Sequence, residues 1–286
     1  DNLQVKYGIP QGSRLSPLLF TIYVNDITKF SLSKQTKLTQ FADDNALTIW
    51  SENLETLYKT ANEEIFKLHL WYQQNILTIN IPKCKYIEFK QKKSVMQYQV
   101  KIENDSIEKV DNFKYLGTII DNKLNWKEHI NHIKTKINQK LPMLHYIKNK
   151  TNTAAKHLIY NAFIKPHITY TSAIYGSCNQ AHIKKLQKTQ NKAINTIHNN
   201  NKYSKNIYKT NNIIQIKNII FIEKMKHIYK YIKYPEKIPK NTKNIYDEIN
   251  KNIDKRLKQK YNLCTKFYNK EIGKKYSYND TTQWNK

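Results

Sequence analysis

Apolar and polar positions follow two regimes along this 286-residue chain. Up to about residue 124 short apolar runs separated by turn-forming residues alternate with helical stretches; beyond that the apolar positions recur at helical spacing. Residues 38–50, LTQFADDNALTIW, are two short apolar runs meeting at a polar bend. That pattern predicts a β-hairpin with Asp43, Asp44 and Asn45 at its turn. Residues 54–75 set Leu54, Leu57, Ile65, Leu68 and Trp71 on one stripe of an amphipathic helix. Strands are expected at about 77–81, 84–90, 98–103 and 113–120. From Asn125 the pattern predicts helices over 126–149, 153–164 and 180–198, and another near 217–233. The loop NNNKYSKN lies between the last two, and YPEKIP at 234–239 reads as a linker. The tail from 240 has weak periodicity and is expected to be partly disordered.

Near the start, Gly8-Ile9-Pro10-Gln11-Gly12-Ser13 reads as a stiff loop with two permissive glycines. Ser16-Pro17 then opens an apolar helix, with Ser16 expected as N-cap and Pro17 in the first turn.

A hydrophobic content of 39% suffices for a core, and the formal net charge of +27 is unevenly spread. Residues 1–100 hold 12 basic and 9 acidic side chains, and residues 101–286 hold 37 and 13. No acidic side chain occurs between Glu128 and Glu223. Such a block repels itself unless a polyanion lies against it. An AT-rich coding bias accounts for part of the lysine count but not for the loss of acids from one half. Arg14 and Arg256 are the only arginines, so contacts are expected to be point charges on phosphates, with little sequence discrimination. Tyr203, Tyr208, Tyr229, Tyr231 and Tyr234 run through the basic half; packing between helices and stacking on bases are both open to them.

The adjacent carboxylates of Asp43 and Asp44 repel each other and call for a cation or solvent. On its own such a pair reads as a solvated turn. His129 and His132 stand three apart on an expected helix without a further ligand nearby, which reads as an amphipathic helix rather than a metal site. Cys84, Cys178 and Cys264 have no zinc-ligand spacing, and their sparse, odd number points to a reducing compartment. Neither a signal peptide nor a membrane-spanning run is present in the sequence. An intracellular setting, nuclear or cytoplasmic, is expected.

Two strings acquire more meaning together. GIPQGSRLSPLLF at 8–20, followed by FADD at 41–44, resembles the palm of reverse transcriptases, in the form found in jockey-like non-LTR retrotransposons. The resemblance extends through Leu70-Trp71, Asn75, Leu77, Asn80, Lys83 and Phe89 to Phe113-Lys114-Tyr115-Leu116-Gly117, Leu124 and Trp126. TYTSAIYG at 169–176 and IKKLQKTQNKAI at 183–194 match weaker family signals. The resemblance implies an α+β fold: part of a polymerase palm over 1–123, a thumb-like helical region over 124–200 and a basic helical extension over 201–286. It implies an RNA-directed DNA polymerase with two magnesium ions, an RNA template, a DNA primer and deoxynucleotide triphosphates.

In that scheme Asp43 is a catalytic metal ligand and Asp44 its supporting neighbour. Pro10, Gln11, Gly12, Ser13, Phe41 and Ala42 meet template and nucleotide, and Lys83 faces the departing pyrophosphate. Phe113, Tyr115, Leu116 and Gly117 grip the primer. Arg14 departs from the small or apolar residue usual at its position. The family's first metal-binding aspartate lies on a strand upstream of the loop, and Asp1 stands too close to serve. The expectation is a fragment that does not polymerise by itself. A catalytically dead nucleic-acid-binding remnant and a maturase-like RNA-binding protein are the alternatives.

Overall fold

A computed structural model describes residues 8–10, 12–29, 32–89, 98–198, 207–208, 211, 213–234 and 236. The expected loop at 199–206, the tail from 240, Gln11, Asp1, Tyr203 and most of the expected linker lie outside them. The chain mixes helices with short strands and divides into two compact units, 1–111 and 112–286.

In the first unit, α1 spans Ser16–Tyr23. Its cap position is Leu15, and Ser16 is the first helical residue. Instead of capping, the Ser16 hydroxyl donates to the Pro10 carbonyl at 2.6 Å, while Ser13 Oγ accepts from Leu15 N at 3.2 Å. Strands β1, Thr36–Phe41, and β2, Asp44–Ile49, pair antiparallel with Phe41 opposite Asp44. The bend is therefore only Ala42 and Asp43, and Asp44 and Asn45 already belong to β2, not to the turn. Ala42 has φ +52, the left-handed first position that lets a two-residue turn follow the strand twist.

Helix α2 runs Leu54–Gln74, with the Asn53 side chain accepting from Glu55 N at 2.8 Å. Its buried line is Tyr58, Ala61, Glu64, Leu68 and Trp71, so the expected Leu54, Leu57 and Ile65 flank that line half-buried. Leu68 and Trp71 join Val24 and Ile27 in a small core, against which Phe20, Leu38 and Leu47 pack.

The strands expected downstream are much shorter in the structure. Residues 77–81 form no strand: Ile76 takes φ +54, and Pro82, which has no N–H, sits in a 3-10 turn over Ile81–Lys83. The run expected at 84–90 reduces to β3, Lys85–Tyr86, and that at 98–103 to β4, Lys101–Ile102. β5, Asp105–Ser106, pairs with β4, while β6, Glu108–Lys109, pairs parallel with β3.

The second unit opens with a hairpin of β7, Asn112–Tyr115, and β8, Thr118–Asp121. Helices α3, Lys127–Asn138, and α4, Leu141–Ile147, replace the single helix expected over 126–149. Pro142 lies in the first turn of α4, where its missing N–H starts a helix but could not continue one. Then come α5, Thr153–Phe163, α6, Lys165–Thr169, α7, Ser172–Tyr175, α8, Gln180–Ile197, and α9, Ile216–Lys233. One continuous core holds them together, with Ile130, Ile137, Ile164, Ile168, Leu186 and Ile216 almost fully buried.

Two polar devices shape this unit. The buried Asp121 carboxylate accepts backbone N–H groups from Lys123 and Asn125 at 3.1 Å and from Trp126 at 2.8 Å. It thereby fixes the turn in which Leu124 and Trp126 take left-handed φ of +51 and +63. Asp121→Ala strands these donors and is expected to cost about 3 kcal/mol. Urea unfolding checks this, with Asp121→Asn intermediate; an unchanged midpoint for the alanine variant would show that the turn holds itself.

The second device is the 169–176 stretch. Thr171 has φ +52, Ser172 and Tyr175 are buried, and the Tyr175 hydroxyl donates to the Ile168 carbonyl. A Cβ at Gly176 would stand 2.3 Å from Ile220 Cγ2 and 2.6 Å from the Ser172 carbonyl oxygen. Gly176→Ala is expected to destabilise by about 1–3 kcal/mol through overpacking, read as a lower thermal midpoint.

Candidate functional site

The β1–β2 hairpin projects its chemistry outward. Its apolar residues, Leu38 and Leu47, face the core, while Phe41, Ala42, Asp43, Asp44 and Asn45 are all exposed. Phe41 is 63% exposed, which leaves an aromatic face free beside the carboxylates. The tip is anchored from behind. Asn45 Nδ2 donates to the Tyr72 hydroxyl of α2 at 2.6 Å and to the Asp43 carbonyl at 3.4 Å. Gln40 Nε2 donates to the Ala42 carbonyl at 3.3 Å. Burial pushes the Tyr72 hydroxyl above its ordinary pKa, so it stays protonated at neutral pH and adds no charge behind the aspartates.

The loop before α1 is braced by the Ser16–Pro10 bond, and Gly12 takes φ +88 with open space where a Cβ would stand. Its glycine answers a backbone need, not a crowded neighbour. Pro10 and Gly12 are exposed and Ser13 is half-buried. Phe20 of α1 and the hairpin residues Leu38 and Leu47 pack on one core, so loop and hairpin rest on one scaffold. Lys83 is exposed at the end of its 3-10 turn.

Asp43 and Asp44 offer hard carboxylate oxygens in water, suited to magnesium, which keeps several waters and takes one or two carboxylates plus phosphate oxygens. Among the described residues no group of three metal-binding side chains occurs. The donor chemistry fits a divalent ion, and the pair supplies part of a coordination shell.

Phe113, Tyr115, Leu116 and Gly117 lie in the second unit, on the β7–β8 hairpin. Leu116 and Gly117, with φ +44 and +78, form its two-residue turn. The Tyr170 hydroxyl donates to the Leu116 carbonyl at 2.6 Å, and a Cβ at Gly117 would meet the Tyr170 ring at 3.2 Å. The sequence carried Tyr170 only as part of a weak family string; its role in sealing this turn was not legible there.

His129 is buried; its Nδ1 accepts from Ile119 N at 3.3 Å and its Nε2 lies 3.3 Å from the Thr171 hydroxyl. Burial, and secondarily His132, push its pKa down to about 4, so it is a neutral hydrogen-bonding strut. On α3, His129 is on the buried side and His132 is half-buried. Of the singled-out tyrosines, Tyr208 is buried, bonding Asn191 at 2.6 Å, whereas Tyr229 and Tyr234 are exposed. On α8, Lys184, Lys188 and Lys192 follow one another at helical spacing and are exposed, with Lys185 beside them. None of the described helices is long and apolar enough to cross a membrane.

Residues 2–120 match the reverse transcriptase (RNA-dependent DNA polymerase) family. The chain is 28% identical over 198 residues to a probable RNA-directed DNA polymerase from transposon X-element of Drosophila melanogaster, covering 68% of this chain and 22% of that protein. It is 24% identical over 198 residues to the RNA-directed DNA polymerase from mobile element jockey of the same species, covering 66% and 22%. A Pol polyprotein from a type-1 retrotransposable element R1 of Nasonia vitripennis is 21% identical over 176 residues, covering 59% and 43%. The chain thus spans about a fifth of the length of the first two of these curated relatives. No solved structure matches.

Proposed function

We propose that this stretch of non-LTR reverse transcriptase sequence works as the catalytic-hairpin half of an RNA-directed DNA polymerase. Residues 1–123 would belong to the palm, 124–200 to the thumb and 201–286 to a basic extension. The observation that carries the reading is the solvent-facing Asp43–Asp44 pair at a tight, anchored hairpin tip, inside the segment matched to the family.

Divalent ions, when bound, stabilise the attacking and leaving oxygens of an in-line displacement. Asp43 would supply a carboxylate ligand and Asp44 would support it, with a further aspartate ligand expected upstream of the loop. Ala42 borders the passage of the primer end, and Phe41 lies beside template and nucleotide. Pro10, Gln11, Gly12 and Ser13 lie against template and nucleotide. Lys83 neutralises the departing pyrophosphate, and Phe113, Tyr115, Leu116 and Gly117 hold the primer. The lysines of the second unit engage strand phosphates, and the protein works inside the cell.

Manganese is the direct probe of the metal site. In a titration followed by NMR, paramagnetic broadening is expected first at the amides of Ala42–Asn45, and lost from that tip in Asp43→Asn. Broadening spread evenly over all acidic residues would remove the hairpin as a metal site.

A further inference from the structure

Within the second unit, a cavity of about 490 Å³ opens between the β7–β8 turn, α3 and the α6 segment. Gly117, His132, Lys136, His167 and Tyr170 line it, together with the buried His129. We propose that this cavity is a subsite for one nucleotide unit of a nucleic-acid strand, its phosphate held by Lys136 with His132 and His167, which gain protons as it fills. The inference rests on the nucleic-acid-binding reading above and adds a site and a proton linkage to it.

The charges around the cavity are of one sign. His132 feels Lys114 from β7, Lys136 from its own helix and His167 from α6. His167 feels Lys136 and also Lys140, at the junction of α3 and α4. His129 is neutral and bonded to Ile119 and Thr171, and the Tyr170 hydroxyl is turned to the Leu116 carbonyl. Asp121 spends its oxygens on backbone N–H groups. No carboxylate lines the cavity.

A cavity lined by a lysine and titratable rings, with further lysines near and no carboxylate in its lining, suits an anion. Partial burial and the neighbouring cations hold both histidines below their ordinary pKa, so they are mostly neutral in the free protein at neutral pH. A phosphate between them reverses the sign of the local field and raises both values. Protons are then taken up on binding, and affinity must rise as pH falls through the gap between the free and bound values. The volume exceeds that of a phosphate, and Tyr170 and His167 in the lining carry aromatic rings on which a base can stack.

The test is fluorescence anisotropy of a fluorescein-labelled oligothymidylate with the 286-residue chain at fixed ionic strength. Between about pH 7.5 and 6, across the histidine range, binding is expected to tighten roughly three- to tenfold. His132→Gln with His167→Gln should flatten that pH dependence, whereas His227→Gln, an exposed histidine on α9, should leave it intact. Circular dichroism of the double variant confirms that it is folded. Unlabelled thymidine monophosphate, added as competitor, separates strand phosphate from free nucleotide: weak competition supports a strand subsite, and full displacement at micromolar levels overturns it in favour of a nucleotide site. Tight binding with unaltered pH dependence in the double variant overturns this inference alone. Absence of any binding overturns both it and the nucleic-acid reading beneath it.

Discussion

Asp43→Asn is expected to reduce primer extension by about 10²–10³-fold or more when the chain is joined to the upstream palm and fingers of a non-LTR reverse transcriptase. On the proposed assignment the Asp43 carboxylate meets a magnesium ion, to which an amide oxygen offers no net charge. Asp44→Asn should cost less, since on the proposed assignment Asp44 only supports the ligand beside it. Template binding should persist in both variants, since neither residue lies in the lysine-rich unit. Steady-state incorporation measured alongside template affinity separates the two effects. Near-normal extension by Asp43→Asn would move the metal site elsewhere.

The second large effect concerns salt. Lysine contacts release counterions from phosphate, and each contact to a single strand contributes about 0.7 to the slope of log affinity against log salt. The 286-residue chain should show a slope above about 4 in magnitude if six or more lysines engage. Replacing Lys184, Lys188 and Lys192 together by Gln removes three exposed charges from one stripe of α8. The slope should then fall by about 2, and affinity at physiological salt by at least about tenfold. These residues are solvent-facing, so the fold should stand. A shallow slope that the triple variant leaves unchanged would mean that the lysines are scattered by coding bias and carry no strand.

Why some of this was legible in the sequence and some was not follows from the range of the interactions. The FADD hairpin was readable because two apolar runs around a polar bend can be satisfied locally, and Leu38 and Leu47 then face the core by strand alternation. Its exact turn was not, because Ala42 rather than an Asp-Asp-Asn bend takes the left-handed position. The long helices were readable from 3.6-residue periodicity, yet 126–149 broke at Pro142, a local signal that the apolar pattern overrode. The strands expected at 84–90 and 98–103 shrank to two-residue bridges, and 77–81 formed none, because pairing partners are set by tertiary contacts.

At the candidate site, the residue types and their order were legible through family resemblance, and their exposure and anchoring were not. Tyr72 behind the tip belonged, in the sequence, to an ordinary amphipathic helix. The cavity rim is harder still: Gly117, His132 and His167 come from three elements, and only folding brings them together. An Asp followed within five residues by Asn-Lys-Leu-Asn-Trp was the one local hint of the Asp121 turn.

The most direct measurement is template-directed DNA synthesis by the joined polymerase carrying residues 1–286 unaltered. On a poly-adenylate RNA template with an oligothymidylate primer, thymidine triphosphate and magnesium, the primer should lengthen only when template, metal and Asp43 are all present. A soluble joined protein that binds template and primer yet incorporates nothing, with magnesium or with manganese, would contradict the assignment of this chain to RNA-directed DNA polymerisation.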